Sequence, residues 1–247
     1  MENQDSLKSP IERAGAVGSK TMAKSFLANV FSYMSAALTI TGIVAYWFGT
    51  DLSMLSLMFN IENGDLVGMK MIGYIIMFAP LGLVLLMSAR FHKFSSVTLV
   101  ALFIVFSILM GMSMSTIFIQ YSLGSIASTF FITAGTFSIM AFLGYTTKTD
   151  LTKFGSILMM GVIGIIIAMV VNMFMQSEMM DYIISGIGVL IFTGLTAYDV
   201  QKLKRIGSGV EYGTDETNKL AIMGALNLYL DFINLFLFLL RFMGNRK

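Results

Sequence analysis

Seven apolar runs, each about as long as a bilayer is thick, divide this chain: residues 26–48, 69–89, 97–119, 126–145, 154–175, 183–198 and 220–242. About 20 consecutive apolar residues cross the hydrocarbon as a helix. Inside lipid every backbone N–H and C=O must be satisfied within the protein, which for such runs means helices. The sequence therefore predicts an all-α integral membrane protein with seven transmembrane helices. A charged fraction of 12% and a mean hydropathy of +0.81 agree, since a soluble domain carries about 25% charged residues. The sixth run is the shortest and must extend toward Lys202.

Residues 1–25 are polar and read as a flexible cytoplasmic tail, with residues 26–247 forming a single seven-helix domain. The first apolar run is too long for a signal-peptide core and is taken as a retained helix. Basic residues set the orientation. Lys8, Arg13, Lys20 and Lys24 lie in the tail; Arg90, Lys93, Lys148, Lys153, Lys202, Lys204, Arg205 and Lys219 lie in the even-numbered connections. Only Lys70, Arg241, Arg246 and Lys247 fall on the other side. The N-terminus is expected in the cytoplasm and the C-terminus outside. A net charge of +2 calls for no nucleic acid, and the lipid bilayer is the expected partner. With no cysteine, disulfides, thiolate metal sites and cysteine nucleophiles are excluded. With one histidine, His92, zinc sites built on histidine pairs are excluded too. No cofactor is expected.

Asp199 and Asp231 are the acidic residues of the apolar segments, one near the end of the sixth and one within the seventh. A carboxylate in hydrocarbon is costly, turned inward and functional by default. Two that meet form a proton-sharing pair whose charge changes with pH. In the last segment Gly224, Asn227, Asp231 and Asn234 recur at three, four and three residues, the period of one helix face, and Arg241 continues it. Asn227 and Asn234 would support the acid on a polar seam facing protein or water. In the sixth segment Thr193, Thr196 and Asp199 are spaced at three, and Tyr198 precedes the acid. Asp199 could equally begin a polar loop, paired with Lys202 at i+3. At about 1.5 Å per residue, Asp231 lies roughly 16 Å past Leu220, so its depth matches that of Asp199 only if the last helix runs beyond the lipid boundary.

Other features are plainer. Pro80 falls inside the second segment and should kink it. Small residues at four-residue spacing, Gly111/Ser115, Ala134/Ser138 and Gly164/Ala168, permit close helix packing. Asp215 is expected to cap the last helix. The glycine-rich stretch from Gly207 follows a helix end, not a strand, so it is no phosphate loop.

The run Ala225-Leu226-Asn227-Leu228-Tyr229-Leu230-Asp231-Phe232-Ile233-Asn234-Leu235-Phe236, continued by Leu239-Leu240-Arg241-Phe242, resembles the last-helix signature of the Bax inhibitor family. Tyr198-Asp199, followed by Lys202, is similar to the end of that family's sixth segment, and the resemblance covers roughly residues 20–245. It implies a central seventh helix wrapped by the other six. It also implies, from bacterial calcium-leak members, a pH sensor at the two aspartates and a bacterial plasma membrane as location. An arginine ending the second helix acts there as a latch on the segment-6 acid; Arg90 holds that position. An acid that some members carry eleven residues earlier is Ala79 here.

The expected function is a pH-sensitive cation leak, with calcium as the ion and Asp199 and Asp231 as its possible metal ligands through hard oxygens. One shared proton would hold the helices together; two charges would repel. The alternative is a non-conducting scaffold or modulator of a membrane protease, with an unidentified protein partner. An enzyme is not expected. An intramembrane aspartyl protease also pairs two aspartates, but its second acid follows Gly-x-Gly, and here Leu228-Tyr229-Leu230 precedes Asp231.

Overall fold

The computed structural model describes residues 10–62, 65–211 and 213–247, with side chains from Thr21 onward apart from 65–66. Its elements are α1 (Pro10–Thr50), α2 (Leu52–Met58), β1 (Phe59–Glu62), β2 (Asp65–Met69), α3 (Met71–Ala89), α4 (Ser96–Met114), α5 (Ile117–Gln120), α6 (Leu123–Thr146), α7 (Thr152–Met175), α8 (Glu178–Gly209) and α9 (Asp215–Met243). Seven of the helices are long and apolar enough to cross a membrane, and each coincides with one of the seven apolar runs. Exposed Ile, Leu, Met and Phe coat the outer helices, the surface lipid asks for.

Burial ranks the helices. In α9, 72% of the apolar window is buried, against 44% in α8 and 11% in α7. α9 packs chiefly on α1, α4, α6 and α8, while α3 leans on α4 and α7 on α8. Tyr229 of α9 is wholly buried, edge-on to Phe103 and Phe106. Its hydroxyl meets Thr41 of α1 at 2.8 Å, and Thr41 donates to the Ser107 carbonyl of α4 at 2.9 Å.

Several local expectations change. Residues 10–25, read as a tail, continue as α1, whose Ala23 is already buried; residues 1–9 lie outside the described residues. The first long connection contains α2 and the β1–β2 hairpin, a two-stranded antiparallel sheet. The last helix is capped by Thr214, which accepts from Thr217 N–H. Asp215, one residue inside, reaches instead to the Ser96 N–H of α4 at 3.1 Å, where free N–H groups and the helix dipole favour a carboxylate. Of the small-residue pairs, Gly111 does allow close approach, to the Thr41 carbonyl. Gly164 faces nothing within 4 Å.

At the hairpin end, Arg246 bridges Tyr121 in an antiparallel pairing, and Lys247 N–H donates to the Gln120 carbonyl at 2.9 Å. Asp181 of α8 holds Arg241 at 3.5 Å and Arg246 at 3.3 Å. The end of α9 is thus tied to α8 and to the start of α6.

Candidate functional site

α8 and α9 run antiparallel, and their register decides which side chains face each other. A Cβ on Gly224 would come 2.5 Å from the Leu203 side chain, so glycine lets the helices close there. At the other end, Phe192 stacks on Phe238 with centroids 5.7 Å apart. Between these contacts Asp199 falls opposite Asp231, and the two carboxyls are in hydrogen-bond contact. The depth mismatch resolves because α8 runs ten residues beyond Asp199, to Gly209.

Ionised carboxylates only accept, so a bond between two of them requires a proton on one. Counted as carboxylates, the pair leaves Oδ2 of Asp231 buried and without a partner, the only such side-chain atom among the described residues. Counted as acid and carboxylate, the pair supplies its own donor. An unmet buried acceptor costs about 1–3 kcal/mol, so the protonated pair is the better reading of this geometry.

Asp231 is buried and Asp199 half-buried. Lys202, one turn on in α8, attracts Asp199 without closing an ion pair. Neighbouring glycines set the position of Asp199. A Cβ on Gly144 of α6 would overlap the Ala197 carbonyl, and one on Gly155 of α7 would overlap the Tyr198 ring.

The polar seam expected on α9 divides in two. Between Lys219 and Arg241, the residues left partly or fully exposed are Leu220, Met223, Asn227, Leu230, Asn234, Leu237 and Arg241, spaced alternately by three and four. Asn227 is exposed on this open stripe, and half-buried Asn234 donates to its own Leu230 carbonyl at 2.8 Å. Gly224 and Asp231 are turned away, into the protein. At its C-terminal end the stripe opens into a cavity of about 410 Å³ lined by Asn172, Asp181, Leu237, Arg241 and Arg246.

Arg90 ends α3 as its C-cap, exposed and in no ion pair among the described residues. The latch contact with Asp199 is therefore not made in this structure; α3 packs chiefly on α4. Asp181 and Gln201 were not singled out from sequence. Gln201 is buried and clamps the α6–α7 connection, donating to the Thr149 carbonyl at 2.8 Å and accepting from Leu151 N–H at 2.9 Å. Nothing in the local pattern marks either residue, because the contacts that tie them to other elements lie at least fifty residues away.

Asp231, its flanking asparagines and the Tyr-Asp at the end of the sixth segment all lie within residues 23–247, which match the family described as inhibitor of apoptosis-promoting Bax1. The chain belongs to the Bax inhibitor family. Relatives match it over most of its length. An uncharacterized protein of Borreliella burgdorferi is 48% identical over 222 residues, 90% of this chain and 92% of that one. The inner membrane protein YbhL of Escherichia coli is 44% identical over 225 residues, 91% and 93% of the two chains. An uncharacterized membrane protein of Streptococcus pyogenes is 33% identical over 219 residues, 89% and 92%. This Bax inhibitor family member is accordingly a membrane protein.

Proposed function

We propose that the protein is a non-enzymatic, proton-gated cation leak, with calcium as the cation. The observation that carries this reading is the carboxyl contact of Asp199 with Asp231 between two membrane-spanning helices. Intramembrane acids mark ion or proton paths by default. The amides of Asn227 and Asn234 on the open stripe of α9 support it, since an exposed amide suits a water-lined path better than lipid. Calcium takes six to eight oxygens in flexible geometry. Two ionised aspartates completed by water would make such a site, one that belongs to the deprotonated state.

The sign of gating follows from charge. With the proton shared, Asp199 offers little to a cation; Arg90 is free and the stripe is open. Losing the proton puts a full charge on Asp199, facing Lys202 on its own helix and available to the Arg90 guanidinium, which binds carboxylates through a planar fork. Leak is therefore greatest on the acid side and falls as pH rises. The basic end lies in the cytoplasm by the positive-inside bias, and the membrane is a bacterial plasma membrane, as for the E. coli relative.

The test is calcium entry into proteoliposomes carrying a trapped indicator, from acid to alkaline pH. Wild type should leak in a pH-dependent way, and Arg90→Ala should leak more at alkaline pH. Absence of leak at every pH would leave the non-conducting scaffold.

A further inference from the structure

At the basic end, the α6–α7 connection and α8 enclose a cavity of about 280 Å³, closed on one side by Ala23 of α1. Its charged lining is Lys148, Lys204, Arg205 and Asp150. The carboxylate is already committed: Asp150 Oδ1 takes the Thr152 N–H at 3.0 Å, the Thr152 hydroxyl at 2.6 Å and Arg205 Nη1 at 3.2 Å. Lys204 pairs with no carboxylate among the described residues. Its ammonium donates to the Tyr145 carbonyl at 2.7 Å and sits 4.8 Å from the centre of that ring. Lys148 is exposed and forms no ion pair among the described residues. Among the described residues, no carboxylate pairs with either of these two lysines.

The wall is rigid. Gln201 is 8% exposed; it fixes the connection on one side and accepts from Arg205 Nη2 at 3.2 Å on the other, holding the guanidinium fork in place. Phe142 and Leu143, within one turn of the lining residue Tyr145 on the last turns of α6, are 65% and 48% exposed. Cationic groups in a preformed pocket, beside an apolar surface at the end of a membrane span, match a phosphate group carrying acyl chains. We propose that this cavity binds the phosphate of an anionic phospholipid, with Lys148, Lys204 and Arg205 on the headgroup and the chains lying along α6. The same cations would accept free phosphate, but only a lipid also covers Phe142 and Leu143.

The experiment measures thermal stability and native-mass-spectrometric adducts of the full chain in detergent. The probes are phosphatidylglycerol, phosphatidylcholine or inorganic phosphate. Phosphatidylglycerol should stabilise the protein and leave adducts at concentrations where the other two do nothing. Each surface lysine near an anionic headgroup contributes about fivefold in affinity, so Lys148→Gln should weaken binding about fivefold and Lys148→Gln with Lys204→Gln further. Lys93→Gln, an exposed lysine of another connection, should bind as wild type. Lys148 is exposed and in no ion pair among the described residues, so its variant should keep the unliganded melting temperature. Equal response to phosphatidylcholine, or unchanged binding by Lys148→Gln, would overturn the site. An equal response to inorganic phosphate would overturn the lipid assignment. None of these readouts depends on ion flux.

Discussion

The hydroxyls of Tyr229 and Thr41, both buried, lie 2.8 Å apart, and they join α9 to α1 and, through the Ser107 carbonyl, to α4. Interhelical hydrogen bonds in membranes average about 0.6 kcal/mol. Tyr229→Phe keeps the ring contacts and leaves Thr41 bonded to Ser107, so it should cost about that amount. Thr41→Val strands the buried phenol, costing about 1–3 kcal/mol. Melting temperatures of both variants in one detergent check the order; Tyr229→Phe falling lower would contradict it.

Asp231→Asn and Asp199→Asn each remove the shared proton while keeping shape. Both should flatten the dependence of calcium leak on pH, whatever the remaining level of leak. The proteoliposome assay at several pH values decides. A wild-type pH profile in Asp231→Asn would remove the sensor role.

Gly144 lies against the Ala197 carbonyl, two residues before Asp199. Gly144→Val must push α6 from α8, at about 1–3 kcal/mol for overpacking, and should blunt the pH response by displacing Asp199. Gly164→Ala, with nothing within 4 Å of its Cβ, should change stability by less than about 0.5 kcal/mol. Equal melting temperatures for the two variants would show that the α6–α8 contact is not tight.

Asp150, outside the spans, is held below the ordinary carboxylate value of 3.8 by the Thr152 hydroxyl and N–H, then by Arg205. A group with a depressed folded-state pKa contributes stability above the unfolded value and loses it as pH falls through the folded one. Asp150→Asn should therefore melt lower than wild type near neutral pH, with the gap closing below about pH 4. Measured profiles that stay parallel from pH 2 to 7 would refute this.

The span count and the two acids were legible because hydropathy and helical period are local. Asp215 misled for the same reason. An acid near a helix start reads as its cap, but Thr214 takes that role and Asp215 serves α4, 119 residues back in the chain. The amide seam misled more instructively. The three-and-four spacing placed Asn227, Asp231 and Asn234 on one face, yet the acid turns inward while Asn227 stays exposed. A helical period defines a broad arc, and neighbouring helices decide which part of it is covered.

By itself, the sequence determined seven apolar helices, because a continuous apolar run of about 20 residues satisfies its own backbone polar groups in hydrocarbon as a helix. It also determined that Asp199 and Asp231 are exceptional, because charge in that medium is costly. Only the tertiary structure decided that the two acids meet, that Arg90 stands apart from them, and that Asp181 and Gln201 matter. Each of those depends on helix register and on contacts between distant residues. Such contacts are set by how ridges, glycines and side-chain volumes fit across helices, and no local pattern in a single chain records that fit.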